Sequence, residues 1–159
     1  MATQLWLLRH GEAEPHDARP DPERRLTERG EQQSRAAGLA LSALELTFQA
    51  VYTSPKVRAR DTARLACEAL AVEPVETDVL ASDFDADDGR QLLLEAAPDA
   101  RILVVGHNPD FEQVVHDLTG ATVDLKKGGI AAVRLDGTRG ELMVLLRPRE
   151  IDSIVAAAG

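Results

Sequence analysis

Apolar residues fall into two rhythms along the chain. Leu5–Leu8 and Ile102–Val105 are short unbroken apolar runs, as in strands buried on both faces of a sheet. Elsewhere apolar positions recur at helical spacing: Ala37, Ala40, Leu41 and Leu44 in one segment, and Phe111, Val114, Val115 and Leu118 in another. The pattern predicts strands over Thr3–Leu8, Gln49–Tyr52 and Arg101–Gly106, with a short edge strand over Val75–Val79. It predicts one helix from an N-cap at Thr27 to about Leu46, and another from about Arg90 to Ala97. Ser54-Pro55 and Asn108-Pro109 read as N-caps followed by proline at the first helical position, for helices ending before Glu73 and at Gly120. Glu12–Arg25, with Pro15, Pro20 and Pro22, reads as a surface loop, and Ala81–Gly89 as an acidic one. Ile130–Leu135 and Glu141–Leu146, joined by Asp136–Gly140, form a predicted hairpin, and Arg149–Ala158 a final helix. The expected fold class is α/β: a three-layer α/β/α sandwich with a mostly parallel central sheet and an antiparallel C-terminal hairpin.

At 159 residues, the simplest organisation is a single domain over residues 1–159. A net charge of −9 argues against general affinity for nucleic acid or anionic membranes. An aromatic content of 3% is too low for base-stacking platforms. No apolar stretch reaches the length of a membrane span, and no basic segment leads into an apolar one at the N-terminus, so the cytoplasm is the expected location. The single Cys67 lies in an apolar helical pattern and reads as a small buried hydrophobe. Nothing in the pattern demands a second copy, and a monomer is the expected state.

Chemistry concentrates where strands end. Leu8-Arg9-His10, Tyr52-Thr53-Ser54-Pro55-Lys56-Val57-Arg58 and Val105-Gly106-His107-Asn108-Pro109 share one grammar: apolar strand, polar residues, then a turn or helix start. Gly11 suits a tight turn that takes φ > 0. In a parallel sheet these ends lie on one side, so Arg9, His10, Arg58 and His107 converge with the N–H groups of two helix starts. Arginine forks and helix N-termini together make an anion site, and most naturally a phosphate site. His16, in the proline-rich loop, and His116, on the polar side of its helix, lack this grammar and read as surface residues. His10, Glu12 and His107 could ligate a metal, but Arg9 and Arg58 would repel a cation, and no metal-binding spacing is present. Neither GxGxxG nor GxxxxGK[ST] occurs, and Lys126-Lys127-Gly128-Gly129 reads as a turn opening a strand.

Arg9-His10-Gly11 resembles the RHG signature of the histidine phosphatase (phosphoglycerate mutase-like) superfamily. Ser54-Pro55-Lys56-Val57-Arg58-Ala59-Arg60-Asp61-Thr62-Ala63 is similar to its second motif. Gly106-His107-Asn108-Pro109 resembles its late histidine motif as found in the SixA-type phosphohistidine phosphatase branch. Arg24–Gly30 and Leu125–Ala131 suggest the same branch, and the resemblance spans nearly the whole chain. It implies that His10 is the nucleophile of a covalent phosphohistidine intermediate, and that Arg9, Arg58 and His107 hold the phosphoryl oxygens. His10 should then be neutral, with its other nitrogen donating to a backbone carbonyl or similar acceptor. Arg24 matches a family position near the pocket mouth and is either a contact to phosphate or to the substrate protein, or a solvated loop charge. Asn108 is an N-cap, a second donor behind the site, or both.

Larger relatives present a glutamate as general acid from the segment that here reads Ala81-Ser82-Asp83-Phe84-Asp85-Ala86-Asp87. Asp83, Asp85 and Glu12 are the substitutes available. A leaving imidazole can be protonated at its other nitrogen, so a phosphohistidine substrate fits the missing glutamate. Too few residues separate Leu70 from Arg90 for a helical lid, which suits a phosphorylated side chain on a protein surface. The resemblance therefore implies a phosphatase without cofactor or metal, acting on phosphohistidine of a protein such as a phosphorelay or histidine phosphotransfer domain. A broader small-molecule phosphomonoesterase and a non-catalytic phosphoprotein-binding module are the alternatives.

Overall fold

Leu5, Leu7 and Leu8 are wholly buried in β1 (Thr3–Arg9), and Ile102–Val105 in β4 (Arg101–Gly106), as two-sided burial of apolar runs requires. The structure, a computed structural model, describes residues 3–159. Its remaining strands are β2 (Ala50–Thr53), β3 (Pro74–Glu76), β5 (Ile130–Asp136) and β6 (Arg139–Leu146). They form one six-stranded sheet in the order β3-β2-β4-β1-β5-β6. The first four strands of that order are parallel, and β5 and β6 run antiparallel as the C-terminal hairpin.

The helices are α1 (Glu28–Ala43), α2 (Val57–Leu70), α3 (Ala86–Ala96), α4 (Asp110–Thr119) and α5 (Pro148–Ala158). Alternation along β1 and β4 divides the core between the two faces. Leu5, Leu7, Ile102 and Val104 pack with Leu92 and Leu93 of α3 and with Phe111, Val114, Val115 and Leu118 of α4. Trp6, Leu8, Leu103 and Val105 pack on the other side with Ala37 and Leu41 of α1, Ala59 and Ala63 of α2, and Ile151 of α5. At roughly 1.5–3 kcal/mol for each buried Val, Leu or Ile, these central strands are the firmest part of the fold. Between α2 and α3 there is only β3 and a 3-10 turn (Asp78–Leu80), and no lid domain stands over the strand ends.

Several boundaries differ from the sequence pattern. The chain leaves α1 at Ala43, so Leu44 lies outside its buried face and is 44% exposed. The edge strand stops at Glu76, and Val79 falls in the 3-10 turn. The acidic stretch is partly helix: Asp85 caps α3 by accepting from Asp88 N, while the Asp88 carboxylate accepts from Asp85 N. Asp87 and Asp88 then occupy the first turn, where carboxylates complement the helix dipole. α2 and α4 begin at Val57 and Asp110, two residues and one residue later than proline at the first helical position would place them.

Candidate active site

Register brings the three strand ends level. Arg9 lies opposite Gly106, and Thr53 opposite Val105. The ladder runs one residue further on each side: His10 N donates to Gly106 O at 3.0 Å and Ser54 N to Val105 O at 3.0 Å. The first residue beyond each strand is thus held by the sheet rather than by a loop.

The turn after His10 is shaped by close approach. Gly11 is not among the residues with positive φ, contrary to the expectation from its sequence context. A Cβ there would lie 2.5 Å from Gly30 O, and one on Gly30 would lie 2.0 Å from Glu12 O. Gly11 N donates to Thr62 Oγ1, which donates in turn to Arg58 O, so the second motif's threonine ties α2 to this turn.

His10 and His107 are 7% exposed, with ring centroids 5.3 Å apart. His10 Nδ1 is 2.7 Å from Gly11 O, which can only accept, so the proton sits on Nδ1 and Nε2 keeps its lone pair. His107 is held the opposite way round. Ser54 Oγ accepts from Lys56 N at 3.2 Å and lies 2.8 Å from His107 Nε2. The serine hydroxyl has one hydrogen to donate and a second lone pair to accept with, so it pairs with either tautomer of His107, whose Nδ1 is buried without a hydrogen-bond partner. Burial lowers both pKa values to about 3, helped by the charges of Arg58, Arg9 and Lys127 for His10 and by His10, Arg58 and Lys56 for His107. At neutral pH both rings are therefore uncharged, and His10 offers a lone pair at Nε2.

Each arginine is gripped along one edge. Arg9 Nη1 donates to Leu125 O at 2.9 Å, and Arg58 Nη1 and Nη2 donate to the backbone and carboxylate of Asp21 at 2.8 and 3.3 Å. The Nε of each is buried without a partner. Burial lowers the basicity of both guanidinium groups, as it must where charge is desolvated ahead of any anion. Arg24 is no solvated loop charge: it is 7% exposed, donates to Glu14 O and Asp21 Oδ1, and its charge acts on Arg58.

Asp21, which carries no signature in the sequence, joins these groups. Its carboxylate receives Arg24, Arg58 and, at 3.3 Å, Lys56. Burial alone would raise its pKa, but the Arg24 hydrogen bonds and the charges of Arg58 and Lys56 hold it well below the carboxylate range. The sequence signal available was only an acid three residues before Arg24 in a loop rich in proline.

The remaining candidates sort by position. Asn108 is not an N-cap: Pro109 occupies that place, and the Asn108 side chain donates to Leu125 O, the carbonyl that also holds Arg9. Asp85 is engaged in capping α3. Asp83 is exposed with φ of 60°, and among the described residues no hydrogen bond joins it to either histidine. Glu12 shares a cleft with Arg9, where its carboxylate accepts from Thr27 Oγ1 at 3.0 Å and pairs with Arg29 at 3.7 Å. His16 and His116 are exposed, and Cys67 is buried, its thiol pushed up to about 11 by desolvation. Among the described residues no three His, Cys, Asp or Glu side chains form a group able to hold a metal ion, and no helix is long and apolar enough to cross a membrane.

Two neutral imidazoles, two arginines with unpartnered Nε–H groups and helix starts without side-chain caps make a cradle for a tetrahedral oxyanion. Known proteins show the family to which the chain belongs. The sequence profile of the histidine phosphatase superfamily (branch 1) matches residues 5–97. An uncharacterised protein from Picosynechococcus is 35% identical, over 92% of this chain and 97% of its own. The protein histidine phosphatase SixA, solved in complex with tungstate, superposes with a TM-score of 0.83 at 26% identity, covering 94% of this chain and 99% of that one. A phosphoserine phosphatase mutant from Entamoeba histolytica, bound to phosphoserine, shares the fold with a TM-score of 0.71 at 18% identity, covering 92% and 97%. The chain is a member of the histidine phosphatase superfamily.

Proposed function

We propose that the protein is a phosphatase that hydrolyses phosphohistidine on a protein, with His10 as the nucleophile. The observation that carries this reading is the tautomer of His10, whose Nδ1–H is committed to Gly11 O and whose Nε2 lone pair stands among the cationic groups. Nε2 attacks phosphorus, a new P–N bond forms, and the P–N bond to the substrate imidazole breaks. The leaving imidazole takes its proton on the nitrogen that did not carry phosphorus, so the step needs no strong protein acid. Water then cleaves the phosphoryl–His10 bond, releasing inorganic phosphate and restoring Nε2. The Nε–H groups of Arg9 and Arg58 and the imidazole of His107 stabilise the charge on the equatorial oxygens. Arg24 contributes positive charge beside Arg58.

Support for a protein substrate comes from the absence, among the described residues, of a lid domain over the strand ends and from the likeness to the protein histidine phosphatase SixA. The test offers the purified protein a phosphohistidine protein, a phosphoserine peptide and a small phosphomonoester, each alongside His10→Ala. The expected result is preferential release from phosphohistidine, abolished in the variant. Equal turnover by His10→Ala removes His10 as nucleophile, and preference for the phosphomonoester turns the assignment to that substrate class.

A further inference from the structure

The chain has a net charge of −9, yet six of its 18 Lys and Arg residues line one cleft of about 480 Å³. They are Arg9 at the end of β1, Arg29 in the first turn of α1, Lys126 and Lys127 before β5, and Arg147 and Arg149 at the start of α5. Glu12 is the only carboxylate among the described residues of its wall. Arg29, Lys126, Arg147 and Arg149 do have acidic neighbours: Glu12 for Arg29, Asp124 for Lys126, and Glu150 for the last two. With Glu112, whose charge acts on Arg9, four carboxylates face six cations, and the excess is positive. The side chains of Arg29 and Arg149 are 71% and 78% exposed, so their pairs are open to exchange with a partner's carboxylates.

This cleft borders the candidate active site. Arg9 belongs to both. Gly128 N donates to Arg9 O and to His10 O at 3.0 Å each, which fastens the Lys126–Lys127 turn to the end of β1. The charge of Lys127 is among those acting on His10. Any protein that presents a phosphorylated side chain to His10 has surface beside it, and that surface meets these cations.

We infer that the cleft receives the acidic face of the phosphoprotein substrate, so the preferred substrate carries carboxylate side chains beside its phosphorylated residue. This rests on the protein-directed reading above. A protein is favoured over nucleic acid because the chain as a whole is acidic and no aromatic side chain lines the cleft for a base to stack on. Complementary charge of this kind acts on encounter and on KM more than on the chemical step.

The experiment compares native protein with the double variant Arg29→Glu/Arg149→Glu, two exposed positions outside the phosphate-binding machinery. Three substrates are used: a phosphohistidine protein with acidic flanks, the same protein with those flanks changed to Asn and Gln, and a small phosphoramidate. The expected result is a fall of about tenfold in kcat/KM on the acidic protein, carried by KM. Turnover of the neutralised protein and of the small phosphoramidate should hold. Added salt should slow the native protein on the acidic substrate more than it slows the variant. Equal loss on the small phosphoramidate, or no loss on the acidic protein, overturns the inference. So does salt-sensitive retention of single-stranded DNA that the variant loses while phosphoprotein turnover is unchanged. No release from phosphohistidine by native protein removes the proposed function and this inference together. Release that is indifferent to the charge reversal removes the cleft alone.

Discussion

Asp21 binds three cations drawn from two distant segments, and each gains something different. Arg24 is buried against it, Lys56 is drawn in at the helix start, and Arg58 is held through Nη1 and Nη2 while Nε stays unpartnered. The carboxylate is held in its ionised form, so at neutral pH it orients the arginines and does not supply a proton. Removing it in Asp21→Ala leaves Arg58 with only the backbone carbonyl as anchor and takes two hydrogen bonds from Arg24, and each charge-assisted bond of this kind is worth ~1.5–3 kcal/mol. The expected outcome is a drop in kcat/KM of roughly tenfold or more, on the same footing. Product phosphate should bind more weakly, and Asp21→Asn should recover part of both losses because its amide oxygen still accepts from Arg24. Steady-state kinetics with phosphate inhibition decides the matter. Tighter phosphate binding in Asp21→Ala would show instead that the carboxylate competes with substrate for the arginines.

The elements of the site are joined by contacts that leave no room for a side chain. β1 meets α1 where Gly11 and Gly30 face each other, and backbone lies on both sides of that contact. Gly30→Ala puts a methyl group 2.0 Å from Glu12 O, and neither carbonyl nor helix start can move without shifting the turn that follows His10. Overpacking of this kind costs ~1–3 kcal/mol. A chemical-denaturation midpoint lowered accordingly, together with a loss of phosphatase activity, is the expected result; native-like values for both would show that the turn is more pliant than its contacts imply. This scale also shows what the sequence could and could not reveal. Strands whose burial comes from unbroken apolar runs, and α4 with its apolar stripe, were legible because period and hydrophobicity alone determine them. The starts of α2 and α4 depart from the pattern because Ser54-Pro55 and Asn108-Pro109 look like helix caps, whereas Ser54 binds the distant His107 besides Lys56 N, and Asn108 binds Leu125. Asp21 was illegible for the same reason. Its partners lie up to 37 residues away, and no periodicity connects a loop carboxylate to a helix start.

At the scale of the whole molecule, a firm parallel sheet carries two histidines that must stay neutral, and this ties stability to pH. Burial lowers His10 and His107 from the ordinary 6.5 to about 3. Above about pH 6.5 the folded and unfolded chains both hold these imidazoles neutral, and the full stability is present. As the pH falls from there toward 3, the unfolded chain takes up protons that the native state refuses, at ~1.4 kcal/mol per pH unit for each histidine. Asp21, Glu14 and Glu150, also lowered, add their losses only below their ordinary values of 3.8 and 4.5, so the window between about pH 6.5 and 5 belongs to the histidines. The expected result is a urea midpoint that falls between about pH 7.5 and pH 5, with a shallower fall in His10→Gln and in His107→Gln. Inorganic phosphate adds a second reading of the same linkage. An anion against the Nε–H groups of Arg9 and Arg58 also favours imidazolium at His10 and His107, so it should raise their pKa values and flatten the acid side of the profile. A fall that is equally steep in the native protein and both variants would place the acid sensitivity outside these two histidines. A fall that flattens with phosphate in the native protein, and not in His10→Gln, would locate the anion beside His10.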